Sequence, residues 1–160
     1  MRAWVAVFAV LALALAWAYA AAYRRPRAGV EVIQTGLEGF SFDMLLDRSP
    51  LLVPEPVADL RALVDAWFGW NVVGPTTEAS LPATAVNASK FLVAHAGPAK
   101  TPVEVTNPAH PDTVLRVLVP PHGVLVVPYL WSASFPEGGA TVTPVDDLVT
   151  AALRVLLGGG

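Results

Sequence analysis

Between Ala3 and Tyr23 the chain carries no charged side chain, and Arg24, Arg25 and Arg27 follow at once. At about 1.5 Å of rise per residue, such a run makes a helix of roughly 30 Å, the thickness of a bilayer's hydrocarbon core. Val5, Val7, Phe8, Val10, Leu11, Leu13 and Leu15 together favour insertion by about 3–4 kcal/mol, the intervening alanines being near neutral. Trp4 at one end, and Trp17 and Tyr19 at the other, sit where interfacial aromatics do. The sequence thus predicts a transmembrane anchor over 1–23, a basic linker over 24–29 stiffened by Pro26, and one domain over 30–160. A lipid bilayer is the first expected partner and a single-pass membrane protein the expected placement. The three Arg after the span outweigh Arg2 and the N-terminus, so the positive-inside rule favours a cytoplasmic C-terminal domain. The rival reading is a cleaved signal peptide, with Arg2 as its basic start and Ala18-Tyr19-Ala20 as its cleavage site. That alternative makes the remainder an exported bacterial binding domain.

What remains after the anchor is about 135 residues, enough for one core and not two. The chain has no cysteine, so the core holds without disulfides, and thiolate metal sites are excluded. Net charge is −3 with no basic stripe, which argues against nucleic acid as a partner. Fifteen Pro and twelve Gly cut every regular element short, and abundant Val between such breakers reads as many short strands.

Alternation predicts a strand over Val30 to Gln34, and a short buried one over Leu51 to Val53 between Pro50 and Pro54. Between them, Ser41 is the expected cap of a short helix carrying Phe42, Leu45 and Leu46. Pro56 is the expected start of a longer helix whose apolar face is Val57, Leu60, Leu63, Val64, Trp67 and Phe68. Trp70 to Val73 is a further strand, and 74–85 a polar exposed loop. Lys90 to Ala96, Val103 to Asn107, Thr113 to Val119 and Val124 to Pro128 read as four successive strands. Trp131 to Phe135 and Thr141 to Thr143 add two more. Asp146 or Asp147 caps a last helix from Leu148 to Leu157. Spacing of about ten residues between strands is that of an antiparallel sandwich. The expected fold is mainly β: an antiparallel β-sandwich or jelly-roll-like domain with two or three peripheral helices, preceded by one transmembrane helix.

Few residue groups suggest chemistry. His110-Pro111-Asp112 with His122 has the composition of a two-histidine, one-carboxylate iron triad. Such a triad needs its His and Asp on one strand, and here both lie between Pro108 and Pro111 or just beyond, in a turn. His95 ends an apolar strand and reads as a half-buried, hydrogen-bonded histidine. Lys90 and Lys100 read as solvated charges at strand ends. No Ser lies in a nucleophile elbow, and no Gly-rich loop precedes a Lys. Asn87-Ala88-Ser89 fits a glycosylation acceptor. Trp67, Phe68 and Trp131 read as core, Trp131 packing beneath the long helix. No cofactor or catalytic residue is expected.

Two resemblances add to this. Gly123-Val124-Leu125-Val126-Val127-Pro128-Tyr129-Leu130-Trp131 resembles the late strand of cupin and Jumonji-type β-sandwiches. In those proteins a metal-binding His follows soon after, whereas Ser132, Ala133 and Ser134 stand here, so the resemblance implies a metal-free relative. The order Glu31-Val32-Ile33-Gln34-Thr35, Leu51-Leu52-Val53, Trp67-Phe68, Lys90-Phe91-Leu92-Val93 and Pro128-Tyr129-Leu130-Trp131 is similar to small single-anchor proteins of giant eukaryotic DNA viruses. That resemblance implies a minor capsid protein of the virion, linking its internal membrane to the capsid shell.

The sequence therefore points to a non-catalytic, membrane-anchored structural protein whose partners are other structural proteins, the capsid lattice among them. Its contacts are expected from the loop over 74–89 and from exposed strand edges. The alternative of a different class is a metal-dependent cupin-like enzyme using His110, Asp112 and His122.

Overall fold

The computed structural model describes residues 2–23, 29–69, 71–78 and 86–156. The chain is mixed helix and strand, with ten strands in two β-sheets and four helices among the described residues. An N-terminal helix α1 (Arg2–Tyr23) is followed by β1 (Ile33–Gln34), the single-turn helix α2 (Asp43–Leu46), β2 (Leu51–Val53) and α3 (Leu60–Phe68). Then come β3 (Val72–Val73), β4 (Thr77–Glu78), β5 (Phe91–Ala96), β6 (Thr101–Thr106) and β7 (Val114–Val119). The remainder is β8 (Val124–Pro128), β9 (Ser132–Ser134), β10 (Ala140–Asp146) and α4 (Leu148–Leu156).

The larger sheet has seven strands in the order β1-β2-β8-β5-β10-β3, with β4 also on β10; the smaller has three, β7-β6-β9. Side-chain alternation along β5 explains why both faces of the larger sheet are covered. Leu92, Ala94 and Ala96 join Leu125, Val127, Ala140 and Val142 in a core shared with Val103, Val105, Val117 and Val119 of the smaller sheet. Phe91 and Val93 point the other way. They meet Val124, Val126 and Val145 in a second core closed by Leu45, Val64 and Phe68 from the helical side. A strand buried on both faces needs apolar residues at every position, and β8 reads Val-Leu-Val-Val-Pro, all buried.

Several expectations are corrected. The sandwich is not all-antiparallel: β1 pairs with β2 in parallel, and the sheets are unequal, seven strands against three. The Leu51 to Val53 strand accepts a parallel neighbour because the long excursion through α2 lets the chain enter the pair from the same end. α3 begins at Leu60 rather than at Pro56, because Asp59 caps it: its carboxylate accepts from the Ala62 amide at 3.0 Å. Ser41 does not cap α2, whose N-cap is Phe42 with no side-chain bond. The expected polar loop over 74–85 contains strand β4, antiparallel to β10. Trp131 packs between the two sheets, 2 % exposed, not beneath α3.

The membrane-spanning helix and the single-pass placement are corrected as well. Among the described residues, no helix is long and apolar enough to cross a membrane. The Trp4 side chain and Arg24, Arg25 and Arg27, with most of the linker over 24–29, lie outside the described residues, as does Trp70.

Candidate functional site

His110 and Asp112 belong to the connection between β6 and β7, and His122 to the connection between β7 and β8. They therefore flank β7 at its opposite ends, separated by a six-residue strand, about 20 Å at the usual rise. The proposed triad is not assembled. Among the described residues no group of three or more His, Cys, Asp or Glu side chains is arranged to hold a metal.

The structure brings together a different set, Tyr19, Lys90 and Asp147. Lys90 precedes β5 and Asp147 precedes α4, so the antiparallel β5–β10 pair sets them side by side. Lys90 Nζ donates to Asp147 Oδ2 at 2.8 Å and to the Tyr19 hydroxyl at 3.0 Å. The same hydroxyl donates to Asp147 Oδ2 at 2.5 Å. Two further bonds fix the frame. Asp147 Oδ1 caps α4 by accepting from the Thr150 amide at 2.7 Å, and the buried Asp146 accepts from the Lys90 amide at 2.8 Å. The ammonium also lies 5.7 Å from the centre of the Tyr19 ring and 5.8 Å from that of Phe91, within cation–π range.

The electrostatics follow from that geometry. Burial raises the pKa of the Asp147 carboxyl, but hydrogen bonds from Lys90, Tyr19 and Thr150 outweigh it and bring the group down from 3.8 to about 2. Burial likewise opposes the Lys90 charge, yet Asp147 and Tyr19 hold the ammonium above its usual value. Burial and the Asp147 acceptor raise the Tyr19 phenol. All three shifts deepen the resting protonation states. A general acid or base needs a pKa brought toward the working pH, and here the reverse holds. The cluster is a latch: it ties the end of α1 to the start of α4, and the two helices lie against each other.

The sequence predicts a solvated strand-end charge at Lys90, whereas its side chain is only 12 % exposed. The one available signal was a lone Lys directly before an apolar strand, which does not reveal a partner 57 residues away. The cap assigned to Asp146 or Asp147 falls to Asp147. Asn87, the expected glycan acceptor, is buried, and its amide nitrogen donates to the Val127 and Pro128 carbonyls at 3.0 and 3.1 Å.

What latching achieves is the presentation of α1. Val5, Val7, Phe8, Val10, Leu11, Leu13, Leu15 and Trp17 are exposed, Leu13 and Leu15 to 70 % each. These residues point around the whole helix rather than along one stripe.

A second feature lies where α3 stops covering the outer face of the larger sheet. Glu78, Thr141 and His95 stand in register across β4, β10 and β5, so they share that face. His95 lines two neighbouring grooves: one of about 340 Å³ with Asp59, Arg61 and Thr143, and one of about 280 Å³ with Glu78, His122 and Thr141. The His95 and His122 ring centres are 6.0 Å apart.

No protein-family model, no curated protein and no solved structure matches this chain.

Proposed function

We propose that this protein is a non-catalytic interaction protein: a β-sheet head that holds an apolar helix ready to dock onto another structural protein. The observation that carries this is α1, whose large apolar side chains stand exposed while its end is bonded to the head through Tyr19, Lys90 and Asp147. Each such side chain gains about 1.5–3 kcal/mol on full burial, so an apolar partner surface is strongly favoured over water. A pinned helix also loses less entropy on docking than a floppy one, which raises affinity without a new contact. β7 adds a second candidate contact, since it is the terminal strand of the smaller sheet and carries the exposed Val114 and Leu118. The viral resemblance, if carried over, makes a capsid lattice the assembly that holds the partner.

What weighs against the rival enzyme is the separation of His110 and Asp112 from His122 along β7. The test is photo-crosslinking in the native source, with a photoreactive residue at Leu11 or, as a control, at exposed Glu137. A stoichiometric protein adduct from position 11, lost in Leu13→Glu, is the expected result. Absence of any protein adduct from position 11, or an equal adduct from position 137, would refute the proposal.

A further inference from the structure

We propose that His95 and His122 form a two-histidine site for a divalent transition-metal cation of the zinc, copper or nickel class. This is independent of the interaction role, since α1 takes no part in it.

The first support is the tautomer of His95. Its Nε2 lies 3.0 Å from the Val57 carbonyl oxygen. A carbonyl oxygen only accepts, so Nε2 carries the hydrogen and, in the neutral ring, Nδ1 holds the lone pair. A ligating histidine that donates its other N–H to a backbone carbonyl is the usual outer-shell arrangement of metal sites, because it fixes both the tautomer and the ring.

The second is the spacing. With metal–nitrogen bonds of about 2.0–2.1 Å, each ring centre sits about 3.2 Å from the metal. Two imidazoles on one cation then have centres about 5.2 Å apart at a tetrahedral angle and about 6.4 Å apart when opposed. The observed 6.0 Å falls between these limits, and the rings are tilted by 38° rather than stacked.

The third is the way the backbone holds the pair. Val57 binds both residues: its amide donates to the His122 carbonyl at 2.8 Å, while its own carbonyl takes the His95 ring. The His122 amide donates to the Gly97 carbonyl at 3.0 Å, just past the end of β5, which carries His95. His122 sits at φ +58°, a left-handed conformation that costs a residue with a Cβ about 1–2 kcal/mol. The following Gly123 is closely packed, since a Cβ there would come within 3.0 Å of the Val53 carbonyl oxygen. The turn is thus rigid, and it keeps a strained histidine where glycine would be easier.

The fourth is the surroundings. The groove of about 280 Å³ that both rings line contains Glu78 and, among the described residues, no Lys or Arg. Glu78 supplies negative potential from the wall rather than a bond, because its register places Thr141 between it and His95. Water completes the coordination. Imidazole ligands select zinc, copper or nickel over calcium or magnesium, which prefer oxygen.

The test uses the full chain. Zinc and copper titrations by calorimetry, with cobalt absorption and copper EPR as spectroscopic readouts, give the stoichiometry and the nitrogen ligands. His122→Gly suits the left-handed backbone and so should fold; His95→Gln is the second variant, and His110→Ala is the control. The expected result is one saturable site that each of the first two substitutions weakens tenfold or more and that His110→Ala leaves unchanged. Two nitrogens in the copper spectrum of the natural chain, falling to one in His122→Gly, would accompany it. The proposal is overturned if no saturable binding occurs, if His122→Gly binds as tightly as the natural chain, or if His110→Ala abolishes binding.

Discussion

Replacing Asp147 by Asn probes the latch with little else disturbed. Asn is as good an N-cap as Asp, so the bond to the Thr150 amide survives. With that oxygen at the cap, the Asn amide nitrogen, a donor, takes the place of Oδ2 opposite Tyr19 and Lys90. What disappears is the charge facing Lys90 Nζ at 2.8 Å, in a pair whose side chains are 12 % and 19 % exposed. The size of that loss follows from the carboxyl itself: the gap between 3.8 and about 2, at 1.36 kcal/mol per pH unit, corresponds to about 2 kcal/mol. Asp147→Ala removes the cap as well, a further ~1 kcal/mol. Urea unfolding at neutral pH, followed by circular dichroism, should show losses of about 2 and 3 kcal/mol, or roughly 4–8 °C in Tm for the Asn variant. Hydrogen exchange should show the α1 amides near Tyr19 losing protection in both. The pH dependence has a definite sign. Because the folded carboxyl ionises more readily than the unfolded one, its stabilisation is complete above about pH 4 and is lost as pH falls toward 2. The groups held above their ordinary values, Lys90 and Tyr19, contribute below about pH 10 and lose their contribution as pH rises further. Asp147→Asn should abolish the acid step and weaken the alkaline one, since Asp147 is among the groups that raise Lys90 and Tyr19. If the Asn variant matches the natural chain within ~0.5 kcal/mol, or retains the acid step, the latch is refuted.

Further outcomes are expected elsewhere in the fold. Trp131→Ala, which empties a site 2 % exposed between the sheets, should cost about 3–5 kcal/mol in chemical denaturation, unlike any change at an exposed aromatic. Asn87→Ala strips donors from two carbonyls and an acceptor from the Ser89 amide. It should cost about 2–3 kcal/mol, and the natural chain should show no added glycan mass at this position when expressed in a secreting cell.

The linear order already contained much of the strand pattern. β2, β5, β7 and β8 lie within a residue or two of where alternation and the flanking prolines place them, since period-2 patterning and breakers act locally. β4 escaped because two polar residues, Thr77 and Glu78, carry no hydrophobic signal; they become a strand only when β10 offers its edge. β10 runs further than expected, across Pro144, because a proline can lie in a strand where the ladder does not ask for its missing donor.

By itself the sequence determined that this is a cysteine-free chain of short, Val-rich strands led by an Ala-rich helix with no charge after Arg2, because propensity, alternation and charge are properties of neighbours. Only the tertiary structure decided that His122 meets His95 rather than His110, and that Lys90 meets Asp147 and Tyr19 rather than water. It likewise placed Trp131 between two sheets. Those outcomes depend on which strands pair and in what register. Pairing is settled by burying both faces of one sheet at once, a condition that no local window of residues expresses.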